Sequence, residues 1–318
     1  MSTQKGVDVN FTSAELTLEM DDFSSRILEP AMSVLAANIE ADAFDMYKDV
    51  YNQVSNVGSS ATFANMMNVR KKLTDALAPG AGRCMQLNTQ DNVDLVDALK
   101  GLFHDSTAIK KQYREGMVGT TAGFGDIYET TLLANHTTGT DDGTGDYLVN
   151  GASQTGATLT VDTGAGTLVQ GDILTIAGVN RVHPETKADT GVLQQFVVTT
   201  TTGASTTTVA ISPSIVTSGA TQNVSGSPAD NAVVTKVGGA SAEHGVSMGY
   251  HKDAFAFATA DLIKPNGVDF CAREVFDGIS MRIVRDYDIN NDKLPCRIDV
   301  MYGYKAIRPQ LACRLAAN

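Results

Sequence analysis

Residues 138 to 242 differ so much in composition from the rest of the chain that they are predicted to fold as a separate module. This segment is rich in Thr, Gly, Ser and Val, it contains no Met or Cys, and its only cationic residues are Arg181, Lys187 and Lys236. No stretch with helical periodicity separates its short alternating runs, so the pattern predicts a small β-sandwich or barrel. A flexible Thr/Ser linker is the alternative interpretation.

The predicted strands of this module share an alternation of apolar and polar side chains. Gly, Asn, Asp, Ser and Pro lie between them and are typical of tight turns. The strands are residues 158–161, 172–176, 195–198, 207–211 and 232–235.

An apolar stripe near the start of the chain predicts one long helix of roughly thirty-four residues, or about 50 Å. Asp21 and Asp22 are suitable residues for its start, and Pro30 predicts either a kink or the true first turn. Most steps of the stripe are four residues rather than 3.6, so it drifts around the helix and predicts contact with more than one neighbour. The stripe consists of Phe23, Ile27, Ala31, Leu35, Ile39, Met46, Val50 and Val54.

Two shorter amphipathic helices and a hairpin complete an α+β pattern. The helices are predicted from Thr62 to Leu77 and from about Thr89 to Phe103. Residues 280–288 and 296–302 alternate in the manner of strands, and turn-forming residues lie between them, so they predict an antiparallel hairpin.

Charge and composition exclude several classes of protein. The net charge of −12 argues against sequence-specific DNA binding, because such binding depends on clustered Lys and Arg. No apolar run is long enough to span a membrane, and no secretory signal is readable, so a cytosolic origin is expected. The cysteines have no zinc-type spacing and are predicted to be reduced thiols: Cys84, Cys271, Cys296 and Cys313.

The residues offer no recognisable catalytic, metal or cofactor site. No two of the five histidines (His104, His136, His183, His244 and His251) have the spacing of a metal-binding helix. The glycine-rich segment at 119–125 lacks the Lys of a phosphate loop. Residues 286–297 resemble a calcium loop only at its start, because Arg297 stands where the bidentate Glu belongs. The sequence therefore predicts no enzyme activity and no cofactor.

Several long strings resemble a known family, the major coat proteins of short-tailed phages of the P22 type, a branch of the HK97-fold capsid proteins. Residues 11–36 resemble the end of the extended E-loop entering the long spine helix. Residues 251–262, 283–292 and 304–315 resemble the C-terminal sheet segments, and the string from Val169 to Val179 resembles part of the β-barrel insertion domain.

The resemblance implies an HK97-type fold divided into four parts. Residues 1–22 would be part of the E-loop, and residues 23–137 the spine helix, the peripheral domain and part of the axial domain. Residues 138–242 would be the insertion domain, a stability element, and residues 243–318 the C-terminal sheet segments. Only ten residues precede Phe11, fewer than the family's N-terminal arm, so a truncated, processed or compact subunit is expected.

The implied function is self-assembly of hexamers and pentamers into an icosahedral head shell around double-stranded DNA. The implied partners are a scaffolding protein and a portal, with assembly in the host bacterial cytoplasm and a final location in the virion. The charged residues around the E-loop end and the hairpin are predicted to make intersubunit contacts, with a solvated surface as the alternative. They are Glu15, Glu19, Asp22, Arg26, Arg282, Arg285, Asp286, Asp288, Asp292 and Arg297.

Two other classes of protein compete with this interpretation. A β-rich phage tail or surface-adhesion protein would explain the Thr/Ser/Gly module, but it leaves the long helix and the C-terminal strings without a role. A capsid-associated peptidase would need a nucleophile and a base that meet only in the folded chain.

Overall fold

The computed structural model describes residues 3–12, 29–99, 121–144, 147–162, 164–276 and 278–317. The chain divides into two compact units. Unit 1 contains Met1–Phe44 and Phe255–Lys305, and unit 2 contains Asp45–Ala254 and Ala306–Asn318.

The described residues form a mixed α+β fold in which strands predominate. The α-helices are α1 (Glu29–Phe44), α2 (Phe63–Asp75) and α3 (Thr89–Leu99). The strands are β1 (Thr3–Thr12), β2 (Gln53–Asn56), β3 (Arg83–Asn88), β4 (Asp126–Thr130), β5 (Asn135–Thr137), β6 (Tyr147–Leu148), β7 (Gly156–Thr160), β8 (Ile173–Val182), β9 (Asp189–Val198), β10 (Thr208–Ile215), β11 (Val233–Lys236), β12 (Glu243–His251), β13 (Phe255–Ala260), β14 (Phe270–Phe276), β15 (Ile279–Arg285), β16 (Lys293–Ala306) and β17 (Ala312–Ala317).

Unit 1 is a helix packed on an antiparallel sheet. The strand order is β1-β16-β15-β14, and β13 also pairs with β16. Leu35 and Ile39 of α1 are buried in one cluster with Val300 and Tyr302 of β16. Full burial of such side chains stabilises a fold by about 1.5–3 kcal/mol each, so this contact holds α1 on the sheet.

Unit 2 has a mixed sheet of order β2-β17-β12-β3-β4, with β5 also paired to β12. The β17–β2 and β3–β4 pairs are parallel, and β12 is antiparallel to both of its neighbours. Gly249 on β12 allows α2 to approach closely, because a Cβ there would lie 2.7 Å from Cγ1 of Val69. Any larger side chain at Gly249 would force α2 away from the sheet.

The β-rich module within unit 2 closes on itself. Its strand order is β6-β11-β8-β9-β10-β7, and a bridge between Val149 and Val161 joins the segments that follow the two end strands. Its interior is apolar and includes Leu159, Leu174 and Phe196. The five strands predicted in this region overlap β7, β8, β9, β10 and β11, so the alternation of side chains predicted them correctly and a flexible linker is wrong.

The prediction of a thirty-four-residue helix ending near Val54 is wrong. Helix α1 ends at Phe44, a 3-10 helix follows over Asp45–Asp49, and Val54 lies in β2. The parallel pairing of β2 with β17 explains the change, because Val and Tyr favour extended structure where a strand partner is available. Residues 23–28 of the predicted helix lie outside the described residues.

The other predicted elements are found where they were expected. Helix α2 begins after Thr62, whose hydroxyl accepts a hydrogen bond from the backbone N–H of Asn65 at 3.2 Å. Helix α3 begins at Thr89 and is described as far as Leu99, so the remainder of that prediction lies outside the described residues. Strands β15 and β16 form the predicted antiparallel hairpin.

Candidate functional site

The predicted contact residues of the hairpin lie in unit 1, where the arginines pair with carboxylates of their own chain. Arg285 Nη2 lies 2.9 Å from Oδ2 of Asp269, and Arg297 Nη1 lies 3.4 Å from Oδ2 of Asp8. Both pairs are well exposed, and exposed ion pairs contribute little net stability. Glu15, Glu19, Asp22 and Arg26 lie outside the described residues, so their role stays a prediction.

Although Arg297 Nε lies 3.4 Å from Oδ2 of buried Asp299, Arg282 is the hairpin arginine that donates two hydrogen bonds to this carboxylate. Its Nε and Nη2 donate to the two oxygens of Asp299 at 3.0 and 2.6 Å. Gln4 on β1 donates to the same carboxylate at 2.8 Å, and Asp299 is 0% exposed. The hydrogen bonds to Asp299 raise the pKa of Arg282. Asp299 therefore links β1, β15 and β16 into one sheet.

The acidic residues of the hairpin shape its turn. Oδ1 of Asp288 accepts a hydrogen bond from the backbone N–H of Asn290 at 3.0 Å, and its Oδ2 accepts one from Nδ2 of Asn291 at 2.7 Å. Asp292 accepts from the Tyr287 hydroxyl at 2.9 Å, and Oδ1 of Asp286 accepts from the backbone N–H of Tyr287. These contacts fix the tip, and the exposed side chain of Ile289 lies within it.

Unit 2 contains a buried polar network centred on Asp172, where the β-rich module meets the mixed sheet. Asp172 Oδ1 lies 2.9 Å from Nε2 of His136 on β5. Its Oδ2 accepts from the backbone N–H groups of Gly139 at 3.0 Å and Val169 at 2.8 Å. The Tyr47 hydroxyl lies 3.1 Å from Nδ1 of His136 and extends the network. One carboxylate thus pairs with polar groups of three residues in the interior of unit 2.

Arg314 on β17 lies beside this network and is completely buried. Its Nη2 donates to the carbonyl oxygen of Gly171 at 2.8 Å, and its guanidinium lies 5.6 Å from the ring centre of Tyr47. Among the described residues, Nε and Nη1 have no hydrogen-bond partner. Burial lowers the pKa of Arg314 to about 10, so the side chain stays charged at neutral pH.

Burial also controls two other ionisable side chains of unit 2. It lowers the pKa of His244 to about 4, with the nearby His136 and Arg314 acting in the same direction. It raises the pKa of Asp91 to about 6, although a hydrogen bond from the Ser247 hydroxyl opposes the shift. At neutral pH His244 is therefore neutral and Asp91 is charged.

The Gln195 side chain of the module closes the free edge of β2. Its Oε1 accepts from the backbone N–H of Gln53 at 2.9 Å, and its Nε2 donates to the carbonyl oxygen of Gln53 at 3.0 Å. The carboxamide thus occupies the position of a neighbouring backbone amide. Lys72 from α2 donates to the same two oxygens, at 2.5 Å to Gln195 and 2.9 Å to Gln53. This arrangement shields an edge that would otherwise be open to another strand.

The structure assembles no recognisable catalytic or metal site from the residues that it describes. No group of three or more His, Cys, Asp or Glu side chains in these ranges has metal-binding geometry. His136 and His244 pack edge to face with ring centres 5.4 Å apart, in the interior of unit 2. No described helix is long and apolar enough to cross a membrane.

The residues that organise these sites carry no signal in the sequence. Asp172, Asp299, Gln195 and Arg314 are single polar residues within strands or at their ends, and their partners lie far away along the chain. The alternation on β16 predicts an outward position for Asp299, because its neighbours Ile298 and Val300 belong to the inward-facing set, so nothing in the sequence pointed to its burial.

Comparison with known proteins identifies the family. The model of the P22 coat protein family, described as gene protein 5, matches residues 1–315. A search of curated proteins found no match. The match includes the helix α1 and the C-terminal strands, which the tail or adhesion alternative left without a role.

The chain also matches several solved structures. A structure of Mycobacterium phage Che8 has 12% identity and a TM-score of 0.48, covering 99% of this chain and 70% of that one. The capsid of cyanophage P-SCSP1u has 11% identity and a TM-score of 0.46, covering 99% and 72%. The CUS-3 coat protein I-domain has 34% identity and a TM-score of 0.24, covering 30% of this chain and 96% of that one. On the family match, the chain belongs to the P22 coat protein family and is a major capsid protein that forms the shell of a phage head.

Proposed function

We propose that this coat protein builds its shell from HK97-type subunits arranged as hexamers and pentamers. The observation that carries the proposal is the family match over residues 1–315. The arrangement of elements supports it, since unit 1 packs α1 on a long antiparallel sheet and unit 2 has its own mixed sheet. In this assignment α1 is the spine helix, unit 1 contains the peripheral domain, and the sheet of unit 2 belongs to the axial domain.

The module from residues 138 to 242 is the insertion domain in this proposal, and its role is to stabilise the subunit. Its contacts with the rest of unit 2 support that role. Asp172 at the base of the module binds His136 on β5, and Gln195 of β9 closes the edge of β2. The backbone N–H of Thr138 donates to the carbonyl oxygen of Ala242 at 3.1 Å, so the entering and leaving segments pair at the base.

Intersubunit contacts are assigned to the E-loop end and the hairpin. The first group is Glu15, Glu19, Asp22 and Arg26. The second group is Asp286, Asp288, Asp292 and the hairpin arginines, of which Arg297 is exposed, Arg285 is half-buried and Arg282 donates to buried Asp299. Exposed apolar side chains at the tip, including Ile289 at 81% exposure, support a protein partner there.

The proposed partners are those of a shell that assembles in the host bacterial cytoplasm and then encloses DNA. They are other copies of the chain, a scaffolding protein, a portal and double-stranded DNA bound without sequence specificity. A net charge of −12 supports weak adhesion of the shell to DNA, because phosphate binding needs clustered cations. The subunit acts as a structural protein without a cofactor, and no enzymatic step is assigned to it.

Cryo-electron microscopy of particles from bacterial cells that express the chain with its scaffolding protein tests this assignment. The expected reconstruction is a closed icosahedral shell with six-fold and five-fold capsomers, in which each subunit fits an HK97-type trace. A chain with Asp162→Lys, an exposed change on the module, serves as a control and should give the same shell. Open sheets, tubes of another architecture or trimeric fibres would contradict the proposal.

A further inference from the structure

The mixed sheet of unit 2 has two outer strands with different surroundings. In the described part of the chain, β2 is the outer strand on one side and β4 is the outer strand on the other. Because the two strands lie at opposite ends of one sheet, surfaces beside them face away from each other. Such a subunit presents two separate faces to its neighbours.

The β2 side carries a groove of about 370 Å³ that is cationic and partly apolar. Lys71, Lys72 and Arg181 line it, and Asp75, the one carboxylate among its lining residues, lies 2.9 Å from Nζ of Lys71 and 3.7 Å from Nη2 of Arg181. Val192 and Leu193 of β9 also line the groove, and they are 60% and 41% exposed. A net positive apolar groove is unusual on a chain with a net charge of −12 and is suited to a protein surface that carries acids and apolar groups.

The β4 side has the complementary character. Neither residues 84–99 nor residues 121–135 contain a Lys or Arg. Asp97 of α3 and Asp126 and Glu129 of β4 are exposed there, and Nδ2 of Asn92 donates to Oε2 of Glu129 at 2.9 Å, which holds α3 beside β4.

Apolar side chains accompany these acids. Val93 of α3 is 59% exposed and Tyr128 of β4 is 55% exposed. On α3, Val93 and Asp97 lie four residues apart and share a helix face. The β4 side therefore combines exposed carboxylates with exposed apolar groups. This combination is complementary to the groove on the β2 side, which is cationic and partly apolar.

We propose that the β2-side groove of one copy docks on the α3–β4 side of a second copy, so that copies join head to tail around a ring. This inference rests on the proposed function, in which the chain forms hexamers and pentamers. A contact between two different surfaces of identical subunits closes into a ring when the rotation permits, and it requires no self-complementary patch. Opposite charges at the two surfaces also steer the encounter and set its register.

The first readout is the identity of the neighbouring residues in the assembled wild-type protein. Isotope-labelled and unlabelled copies are assembled together and treated with a zero-length carbodiimide, and coupled peptides are identified by mass spectrometry. We expect Lys71, the exposed lysine of the groove, to be coupled in one copy to Asp97, Asp126 or Glu129 of another. The absence of any such intermolecular pair would overturn the inference even if shells form.

The second readout is assembly of charge-reversed variants. One variant carries Lys71→Glu and Arg181→Glu, and a second carries Asp97→Lys and Asp126→Lys. Each is expected to reduce the fraction of chain in sedimenting particles by at least roughly tenfold, because like charges then face each other. The chain with all four changes should regain assembly, since each reversed surface again meets an opposite charge.

Three controls and one outcome separate the inference from the proposed function. Asp162→Lys is the matched control for a reversed carboxylate and should assemble as the wild type does. Circular dichroism of each variant establishes that loss of particles is not loss of folding, and rescue by the four-change variant establishes the same point independently. Shells from both two-change variants would overturn the docking inference and leave the proposed function intact.

If the wild-type chain gives no shells, the proposed function fails, and the coupled peptides of whatever oligomer forms decide the docking inference.

The positive groove also has a competing ligand class in double-stranded DNA. Retention of DNA by the wild-type chain, lost with Lys71→Glu and Arg181→Glu and without the coupled peptides, would overturn the protein contact.

Discussion

Replacing Asp172 is expected to destabilise unit 2 more than almost any other single polar change. The carboxylate is 0% exposed on its side chain and accepts hydrogen bonds from His136, Gly139 and Val169. Asp172→Ala would leave two buried backbone N–H groups without an acceptor, and the imidazole would lose its partner. Each orphaned buried group costs about 1–3 kcal/mol, so we expect a loss of about 3–5 kcal/mol in the free energy of unfolding.

Asp172→Asn is the matched comparison, and the geometry predicts a much smaller effect. The Asn oxygen would occupy the position that accepts from Gly139 and Val169, and its NH₂ would face Nε2 of His136. That nitrogen can accept if the ring carries its proton on Nδ1, from which it would donate to the Tyr47 hydroxyl, 3.1 Å away. All polar groups then remain paired, so we expect a loss of about 1 kcal/mol.

Urea unfolding followed by tyrosine fluorescence measures both variants, because the chain has nine Tyr and no Trp. Nitrogen NMR of the imidazole reports the tautomer of His136 and should show its proton on Nδ1 in Asp172→Asn. The reasoning is refuted if Ala costs less than about 1 kcal/mol, or if Asn and Ala cost the same.

Substitutions at four other buried ionisable residues give further tests. Arg314→Met removes a buried charge with two unpaired nitrogens, so urea titrations should give an unchanged free energy of unfolding or one that is higher by about 1–2 kcal/mol. Arg314→Ala should lower the free energy of unfolding by about 3 kcal/mol, because it leaves a cavity. Because the pKa of His244 is lowered to about 4, wild-type stability should fall by up to about 3 kcal/mol as the pH drops from about 6.5 towards 4. His244→Gln should flatten this pH dependence, and an unchanged profile would count against the assignment. The raised pKa of Asp91, about 6, makes the wild type lose stability as the pH rises from about 4 to 6. Asp91→Asn should therefore be more stable than the wild type by about 1–3 kcal/mol at pH 7, and by less at pH 4. Asp299→Ala should lower the free energy of unfolding by about 3 kcal/mol, since Arg282 loses its buried partner, and a loss below about 1 kcal/mol in the same titration would be inconsistent with that role.

The elements that could be predicted from the sequence are those with one buried and one solvated face. The module strands and the β15–β16 hairpin alternate clearly, and α2 carries both an apolar stripe and a Thr cap. Each of these signals is local, because the periodicity of the side chains follows from the element itself.

Strand β17 has no such periodicity, and only the resemblance of residues 304–315 to a family sheet segment pointed to it. Its residues Ala312–Ala317 are all buried, and it lies between β2 and β12 in the middle of a sheet. A strand covered on both faces has no polar side to alternate with the apolar one. The same strand explains the wrong helix end, since β2 exists only through pairing with β17, which lies far away in the sequence.

The polar sites were not predictable for a related reason. His136, Asp172 and Arg314 come from three distant segments, and each alone resembles an ordinary surface residue in the sequence. Their chemistry follows from burial and from partners that only the fold brings together, such as the Gly171 carbonyl that accepts from Arg314. Family resemblance, which depends on long strings of residues, predicted the function without locating these sites.

The most direct test of the central claim is the mass of the particles that the chain forms. Multi-angle light scattering of material from cells that express the chain with its scaffolding protein, combined with negative-stain microscopy, measures mass and shape together. The account predicts closed shells of uniform diameter, with a mass far above that of a monomer or a trimer. Discrete monomers or trimers at every protein concentration, in samples whose circular dichroism shows a folded chain, would contradict it.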